Sequence, residues 1–496
     1  MKARCRTGLL LGLVALLFVG HHGQAPAEAD SNQPPLNFVC TDSDRFGVWH
    51  SLQLPLIEEV DVGRLHAGWW NHWNVVENPA HPADMRFVQL VRIAQGEPPT
   101  DVDAACFDAE RPLACPTWDA VGTIARANPG SLWLIGNEPD RQDYVEADRY
   151  AEIYHEFYTF LKAEDPTCQV GIGGVVQPTP IRLEYLDEIL QAYQTQNGDE
   201  PMPVDVWNVH NYVLREKKMY EDCPDCWGCG VPPGGPNEGE LYGLQDHDDL
   251  EIWTGHLTAM RQWMADRGYR DRPLIVSEFG ILMPEFYGYD YARVRDFMLA
   301  TFEWMMTAND PDIGYPADGN RLVQAWSWFG LAESTLEGLP LQCRLFDPDT
   351  KEITRLGVTF GSYTTALTDP VPGSVDLKPV AVLRGVSSTT GGGFVDATII
   401  AKIANDGAAP AGSVLVRVKR DGEPSGEATI SNIAPGTTET ASVLWTDLIP
   451  GQTYEATVSV EADIQTIECN PFNNLYTTPL IFGDRWIYLP VINKRQ

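Results

Sequence analysis

From residue 45 to about residue 367, short apolar runs alternate with longer stretches whose apolar positions recur every three or four residues. Short apolar runs bounded by turn formers predict buried strands, and the periodic stretches predict amphipathic helices. Eight strands are predicted, over residues 46–51, 65–70, 87–94, 132–136, 170–175, 204–209, 274–277 and 323–328. The clearest helical stripes are Tyr150, Ile153, Tyr154, Phe157, Phe160 and Leu161 in 147–162; Leu186, Ile189, Leu190 and Tyr193; Leu250, Trp253, Leu257, Met260 and Met264; and Val294, Phe297, Met298, Phe302 and Met305. These stripes are core packing against a sheet, and no cofactor role is assigned to their aromatics and methionines. Gly268 follows the third stripe as a helix terminator, just before the strand that ends at Glu278. Eight βα repeats predict an α/β fold, a closed (β/α)8 TIM barrel over residues 40–368.

The pattern changes at Thr368-Asp369-Pro370-Val371-Pro372-Gly373-Ser374, which predicts a linker over 369–375. Residues 376–480 carry no helical stripe. Val414-Leu415-Val416-Arg417-Val418-Lys419 and Tyr454-Glu455-Ala456-Thr457-Val458-Ser459-Val460 alternate apolar with polar, and Asn405-Asp406-Gly407, Asp421-Gly422 and Pro450-Gly451 mark turns. Strands with one wet face over about a hundred residues predict an immunoglobulin-like β-sandwich. The tail, 481–496, runs through Trp486-Ile487-Tyr488-Leu489-Pro490 and ends basic, as a last strand or a docking tail.

Charge and cysteines narrow the setting. Lys2, Arg4 and Arg6 precede an apolar run over 9–19, and Ala25-Pro26-Ala27-Glu28-Ala29 offers two A-x-A cleavage sites, so 1–29 reads as a signal peptide. The run is shorter than the ~20 residues a membrane span needs. A secreted or cell-surface protein with no membrane span after cleavage is expected. The net charge of -34 opposes binding to nucleic acid or anionic lipid and suits a neutral polymer. Of ten cysteines, Cys5 leaves with the signal; Cys106 and Cys115 flank a short loop that a disulfide could staple. Cys223, Cys226 and Cys229 form C-x-x-C-x-x-C. With His247 they could ligate zinc, but a disulfide with one spare thiol is the preferred reading, so no metal is assigned.

Candidate chemistry sits where two apolar runs break into polar loop. Glu138 in Gly136-Asn137-Glu138-Pro139 ends the fourth predicted strand, and Glu278 in Ser277-Glu278-Phe279-Gly280 ends the seventh. In a (β/α)8 barrel the C-terminal strand ends carry the active site. Glycosidic bond cleavage needs one carboxyl to protonate the leaving oxygen and another at the anomeric centre. A single glutamate after a strand more often caps a helix or pairs with an arginine; two on these strands favour catalysis. Asn137 suits a sugar 2-hydroxyl. His210 and Tyr212, two residues apart at the sixth strand exit, are placed to orient Glu278 or hold sugar. Trp326 and Trp328 share that spacing on the eighth strand, and one is expected to form the platform beneath the sugar. Trp69, Trp70 and Trp73 crowd the second strand exit; one should be buried, and Trp70 and Trp73 are expected to bind substrate. Residues 214–249 should lie over the mouth. Asp140, Glu285 and Glu333 are the alternative carboxylates. No cofactor is called for.

Together with Trp69-Trp70-Asn71-His72-Trp73, Val204-Asp205-Val206-Trp207-Asn208-Val209-His210-Asn211-Tyr212 and Trp326-Ser327-Trp328-Phe329, these motifs resemble the clan A retaining glycoside hydrolases, and within them family 128. The resemblance implies double displacement, with Glu278 as nucleophile and Glu138 as general acid and then base, the acid held protonated by its neighbour. It implies a secreted, endo-acting β-glucanase on a polysaccharide. An exo-acting glycosidase on short or decorated sugars and a non-catalytic glycan-binding protein on a retired barrel are the alternatives. Asp376-Leu377-Lys378-Pro379, Asn405-Asp406-Gly407 and Glu468-Cys469-Asn470-Pro471-Phe472-Asn473-Asn474 resemble CARDB sandwiches, which implies a spacer or a cell-surface or glycan contact.

Overall fold

The computed structural model describes residues 36–50, 56–93, 117–218, 228–333, 335–336, 339–390, 393–463, 466 and 468–482. The predicted signal peptide, the Cys106/Cys115 staple, Cys223, Cys226 and most of the tail lie outside them. Eight parallel strands form the first sheet: β1 Phe46–Trp49, β2 Trp69–Asn71, β3 Arg86–Val91, β4 Leu132–Ile135, β5 Gln169–Ile172, β6 Trp207–His210, β7 Leu274–Phe279 and β8 Ala325–Trp328. Their order is β5-β4-β3-β2-β1-β8-β7-β6, and the bridges Gly171 to Val206 and Val175 to Val209 join the two ends. The barrel is therefore a TIM-type barrel closed through single bridges at one seam.

Helices α1 Trp118–Ala127, α2 Ala147–Glu164, α3 Pro180–Gln196, α4 Leu250–Asp266, α5 Tyr291–Thr307 and α6 Arg355–Thr364 follow β3 to β8 in turn. A short hairpin, β9 Thr335–Leu336 and β10 Leu339–Pro340, precedes α6. Residues Tyr150, Ile153, Tyr154, Phe157 and Leu161 of α2, and Trp253, Leu257, Met260 and Met264 of α4, are buried as their spacing dictates. Gly268 takes a left-handed φ of 82° just past α4, and Tyr269 N–H bonds back to Met264 O at 2.8 Å. The first two strand exits depart from the repeat: among the described residues they carry only 3-10 turns, Ile57–Glu59, Val62–Leu65 and Pro82–Asp84. Pro79 and Pro82 deny the second exit a helix. The second strand was expected at 65–70; the left-handed His66, φ 47°, closes a turn there and delays pairing to Trp69.

Inside the barrel, Trp69, Val88, Leu90, Leu132, Leu134, Val206, Ile275 and Ala325 form one apolar plug, sealed from the N-terminal side by Leu36, Phe38, Val39 and Val371. A Cβ on Gly47 would lie 2.4 Å from the Trp69 ring, so glycine is needed for that indole to fill the barrel.

The remainder is two antiparallel sheets. One holds β11 Leu377–Thr389, β12 Val395–Asn405 and β15 Thr438–Leu448. The other is built from β13 Val414–Arg420, β14 Glu423–Ile430, β16 Thr453–Ala462 and β17 Leu475–Ile481, in the order β14-β13-β16-β17. Val416 and Val418 pair with Val460 and Val458 of the neighbouring strand and, with Val414 and Ala456, point into the core, while Arg417 and Lys419 face out. A disulfide joins Cys40, ahead of β1, to Cys469, ahead of β17. Beside it Phe472 stacks on His81 at 4.0 Å, and Arg86, the first residue of β3, lies 5.4 Å over the same ring. The barrel residues in these contacts precede or begin their strands, so the sandwich sits on the N-terminal face.

Candidate active site

Strands β4, β6 and β7 deliver the site at the opposite, C-terminal face. Ile275 points into the barrel, and simple alternation would turn Glu278 outward. The register of β7 slips against β8 between Val276 and Phe279, and against β6 after Val209, so Glu278 also points inward while Phe279 packs against Trp253, Phe302 and Trp328. Glu138 follows β4 in a left-handed conformation, φ 46°, after Gly136, φ 94°. The buried Asp143 carboxylate holds this turn by accepting from the amides of Asn137 at 2.7 Å and Ile93 at 3.2 Å and from Arg92 Nε at 2.6 Å.

One oxygen of each glutamate and a ring nitrogen of His210 lie within 4.8 Å of one another. His210 Nδ1 is 3.1 Å from Glu138 Oε1 and 3.6 Å from Glu278 Oε2. Tyr212 donates to Glu278 Oε1 at 2.9 Å. Asn211, between them, faces away, donating to Trp253 O at 2.9 Å and pairing with His256 Nδ1 at 3.0 Å. Gly174 makes room for the histidine: a Cβ there would lie 2.6 Å from the His210 ring. Asn137 is buried with its Oδ1 unpartnered, and so is Glu278 Oε2. The structure thus brings Glu138, Glu278, Asn137, His210 and Tyr212 together.

Burial favours the neutral form of both glutamates. For Glu138 it is outweighed by the Arg141 guanidinium and by His210, which hold its carboxyl down to about 2; Arg141 Nη1 is 3.1 Å from Glu138 Oε2. For Glu278 burial dominates, His210 opposes it, and the neighbouring Glu138 charge reinforces it, pushing the carboxyl up to about 7. These influences favour Glu278 over Glu138 as the holder of a proton shared by the pair. The reason is Arg141, a residue the motif does not flag. His210 itself is raised: burial works against its charge, but Glu278 and Glu138 outweigh that. Burial and the Glu278 charge keep Tyr212 a phenol and hence a donor.

Three tryptophan assignments are corrected. Trp326 and Trp328 are wholly buried on the outer face of β8. Trp326 packs on Phe46 at 4.7 Å, and Trp328 packs on Phe279 and Phe302 and donates to Cys343 O at 2.7 Å. Neither can lie under a sugar. Trp70 is also on the outer face, against Phe87 at 4.6 Å, with its N–H on Ala80 O. Trp73 is half-buried and rests on Trp49 at 4.4 Å, which in turn meets Phe329 at 4.6 Å. Trp49 and Phe329, at the ends of β1 and β8, are the aromatics that face inward here, and the sequence reading passed over both. Their signal was parity: Trp49 is two residues from Gly47, whose inner face meets Trp69.

The alternative carboxylates have other work. Asp140 is buried and paired with Arg182 Nε at 2.6 Å. Glu285 is exposed and accepts from Gln342, and Glu333 packs beside Gly330. Cys229 is a buried free thiol, its pKa pushed up to about 12 by burial. His247 uses Nδ1 on Val213 O and accepts from Leu282 N–H at Nε2, which leaves it no lone pair for a metal shared with Cys229. Glu138, His210 and Glu278 are close enough to hold a cation. The His210 ring, drawn toward its charged form, already stands between the two carboxylates.

The CARDB family model matches residues 380–478. That part of the chain is a CARDB domain. A CARDB domain from Pyrococcus furiosus, solved with two metal ions, is 21% identical over 22% of this chain and 94% of its own, with a TM-score of 0.18. For the barrel, an endo-β-1,3-glucanase of family 128 from Pseudomonas viridiflava is 14% identical over 64% of this chain and 98% of its own, TM-score 0.41. An exo-β-1,3-glucanase of the same family from Cryptococcus neoformans is 15% identical over 64% and 99%, TM-score 0.38. No curated protein sequence matches the chain. Among the described residues no helix is long and apolar enough to cross a membrane.

Proposed function

We propose that the barrel is a retaining glycoside hydrolase, exported from the cell and endo-acting on a β-glucan. One observation carries the reading: two buried carboxylates from β4 and β7 converge with oxygens within 4.8 Å of each other. Retaining enzymes place their pair about 5–5.5 Å apart, whereas inverting enzymes leave roughly 6.5–9.5 Å for a water. Glu278 attacks the anomeric carbon, guided by Tyr212; Glu138 protonates the leaving oxygen and then deprotonates the water that releases the glycosyl-enzyme. The unpartnered Oδ1 of Asn137 accepts from a sugar hydroxyl. His210 Nδ1 lies 3.1 Å from Glu138 Oε1 and 3.6 Å from Glu278 Oε2, so the imidazolium can give its Nδ1 proton to Glu138 and take the Glu278 proton in its place. Trp73 offers the aromatic face for a sugar ring. The β-glucan assignment follows the motif resemblance, and export is supported by the leader-like residues 1–29 and by a disulfide, which persists in oxidising compartments.

The test is reducing-end release from laminarin, cellulose, mannan, xylan and arabinan, with Glu278→Ala and Glu138→Gln beside the wild type. Release from a β-glucan as a ladder of oligomers, lost by about 10²–10⁴-fold in each variant, is expected. Glucose alone as the product would point to exo action. Binding without release on every polymer would make the barrel a lectin-like scaffold.

A further inference from the structure

The Glu138 carbonyl accepts from the amides of Arg141 and Gln142, each at 2.8 Å. This tight turn fixes Arg141 one turn beyond Glu138, with its guanidinium folded back onto the carboxylate. Nearby Arg182 is wholly buried and spends its donors on Asp140, Glu216 and the carbonyls of Cys229 and Gly230. Arg141 differs. Its side chain is 34% exposed, and among the described residues Glu138 is its one hydrogen-bond partner. A guanidinium has five N–H donors in a fixed fork, so most of Arg141's capacity is unused beside the atom that must protonate the leaving group.

We propose that Arg141 is a positioning residue: it binds hydroxyls of the leaving-group sugar, and substrate thereby draws it off Glu138, freeing that carboxyl to act as the acid only when a sugar is in place. The inference rests on the glycosidase reading. The charged and titratable groups facing Glu138 are His210 at the end of β6, Glu278 on β7, and Asp140 and Arg141 on its own loop; Tyr212 and Cys229 stand next to these. With Arg141 withdrawn, burial and the Glu278 carboxylate are opposed by one cation instead of two, and the proton held on Glu278 can pass to Glu138. The ligand is a neutral sugar with adjacent hydroxyls, which a forked donor can bridge. Coupling the acid to the leaving-group sugar also keeps the nucleophile protonated and quiet in the empty site.

The experiment compares the full chain with Arg141→Met and Arg141→Lys on laminarin and on a dinitrophenyl β-oligoglucoside, whose leaving group needs neither a proton nor a sugar-binding site. Arg141→Met should lower kcat/KM on laminarin by about 10- to 100-fold, the worth of a hydrogen bond to a charged donor, with a loss at least tenfold smaller on the aryl glycoside. Its alkaline limb should move to higher pH, because removing a cation tightens the pair's hold on its proton. Arg141→Lys should recover part of the laminarin loss. Equal losses on both substrates, or an unmoved alkaline limb, would overturn the proposal. Full laminarin activity in Glu138→Gln is a different failure, one that removes the glycosidase mechanism itself.

Discussion

At the scale of single residues, Glu138 and Glu278 are chemically alike and electrostatically opposite. Each is buried at a strand exit; Arg141 and His210 outweigh burial at Glu138, whereas at Glu278 burial and the neighbouring negative charge outweigh His210. Between about 2 and about 7 the pair therefore holds one proton. Above the upper value that proton leaves, no general acid remains, and kcat/KM should fall about tenfold per pH unit; an activity that stays flat to pH 9 would contradict this. The apparent value belongs to the coupled pair rather than to either residue. Both glutamates were legible because each ends an apolar run in a recognisable motif. Arg141 was not, since only the turn at Glu138 brings its side chain back. Trp70, Trp326 and Trp328 were misplaced for a related reason. Alternation tells which residues share a face, but a barrel strand is buried on both faces and its sequence does not say which face is inside.

At the scale of elements, the site depends on loops held from behind. Asp140, two residues after Glu138, is joined through Arg182 of α3 to Glu216, which also accepts from Gln177 at 2.9 Å and from the amide of Glu240 at 2.8 Å. Three exits, after β4, β5 and β6, are tied by this one cluster. Arg182→Met would leave two carboxylates buried without their cation, so a loss of roughly 3–5 kcal/mol in unfolding free energy is expected. Urea denaturation measures it, and a loss below about 1 kcal/mol would show that the cluster relaxes without cost. The elements themselves were largely legible: the stripes of α2 to α5 and the order of strands follow from periodicity. The register slip in β7 was not, because it depends on the neighbouring strands and leaves the composition of 274–279 unchanged.

At the scale of the whole molecule, the CARDB domain and the catalytic mouth occupy opposite ends of the barrel. From that end, the described residues of the domain do not line the cleft. Its docking is closed by Cys40–Cys469, 429 residues apart in sequence. The chain-entropy model gives roughly 6 kcal/mol for so long a loop, and measured bridges often deliver less. The double variant Cys40→Ser, Cys469→Ser should melt several degrees lower than the wild type, with unchanged kcat on short substrates. An equal melting temperature would mean the interface holds without the bridge. This pairing was not legible, since the partners are remote in sequence and the nearer Cys106 and Cys115 drew attention. Double displacement by the two carboxylates retains the anomeric configuration. In proton NMR spectra of the first minutes of a laminarin digest, the β-anomer of the new reducing end should therefore appear first and then mutarotate; an α-anomer appearing first would rule double displacement out.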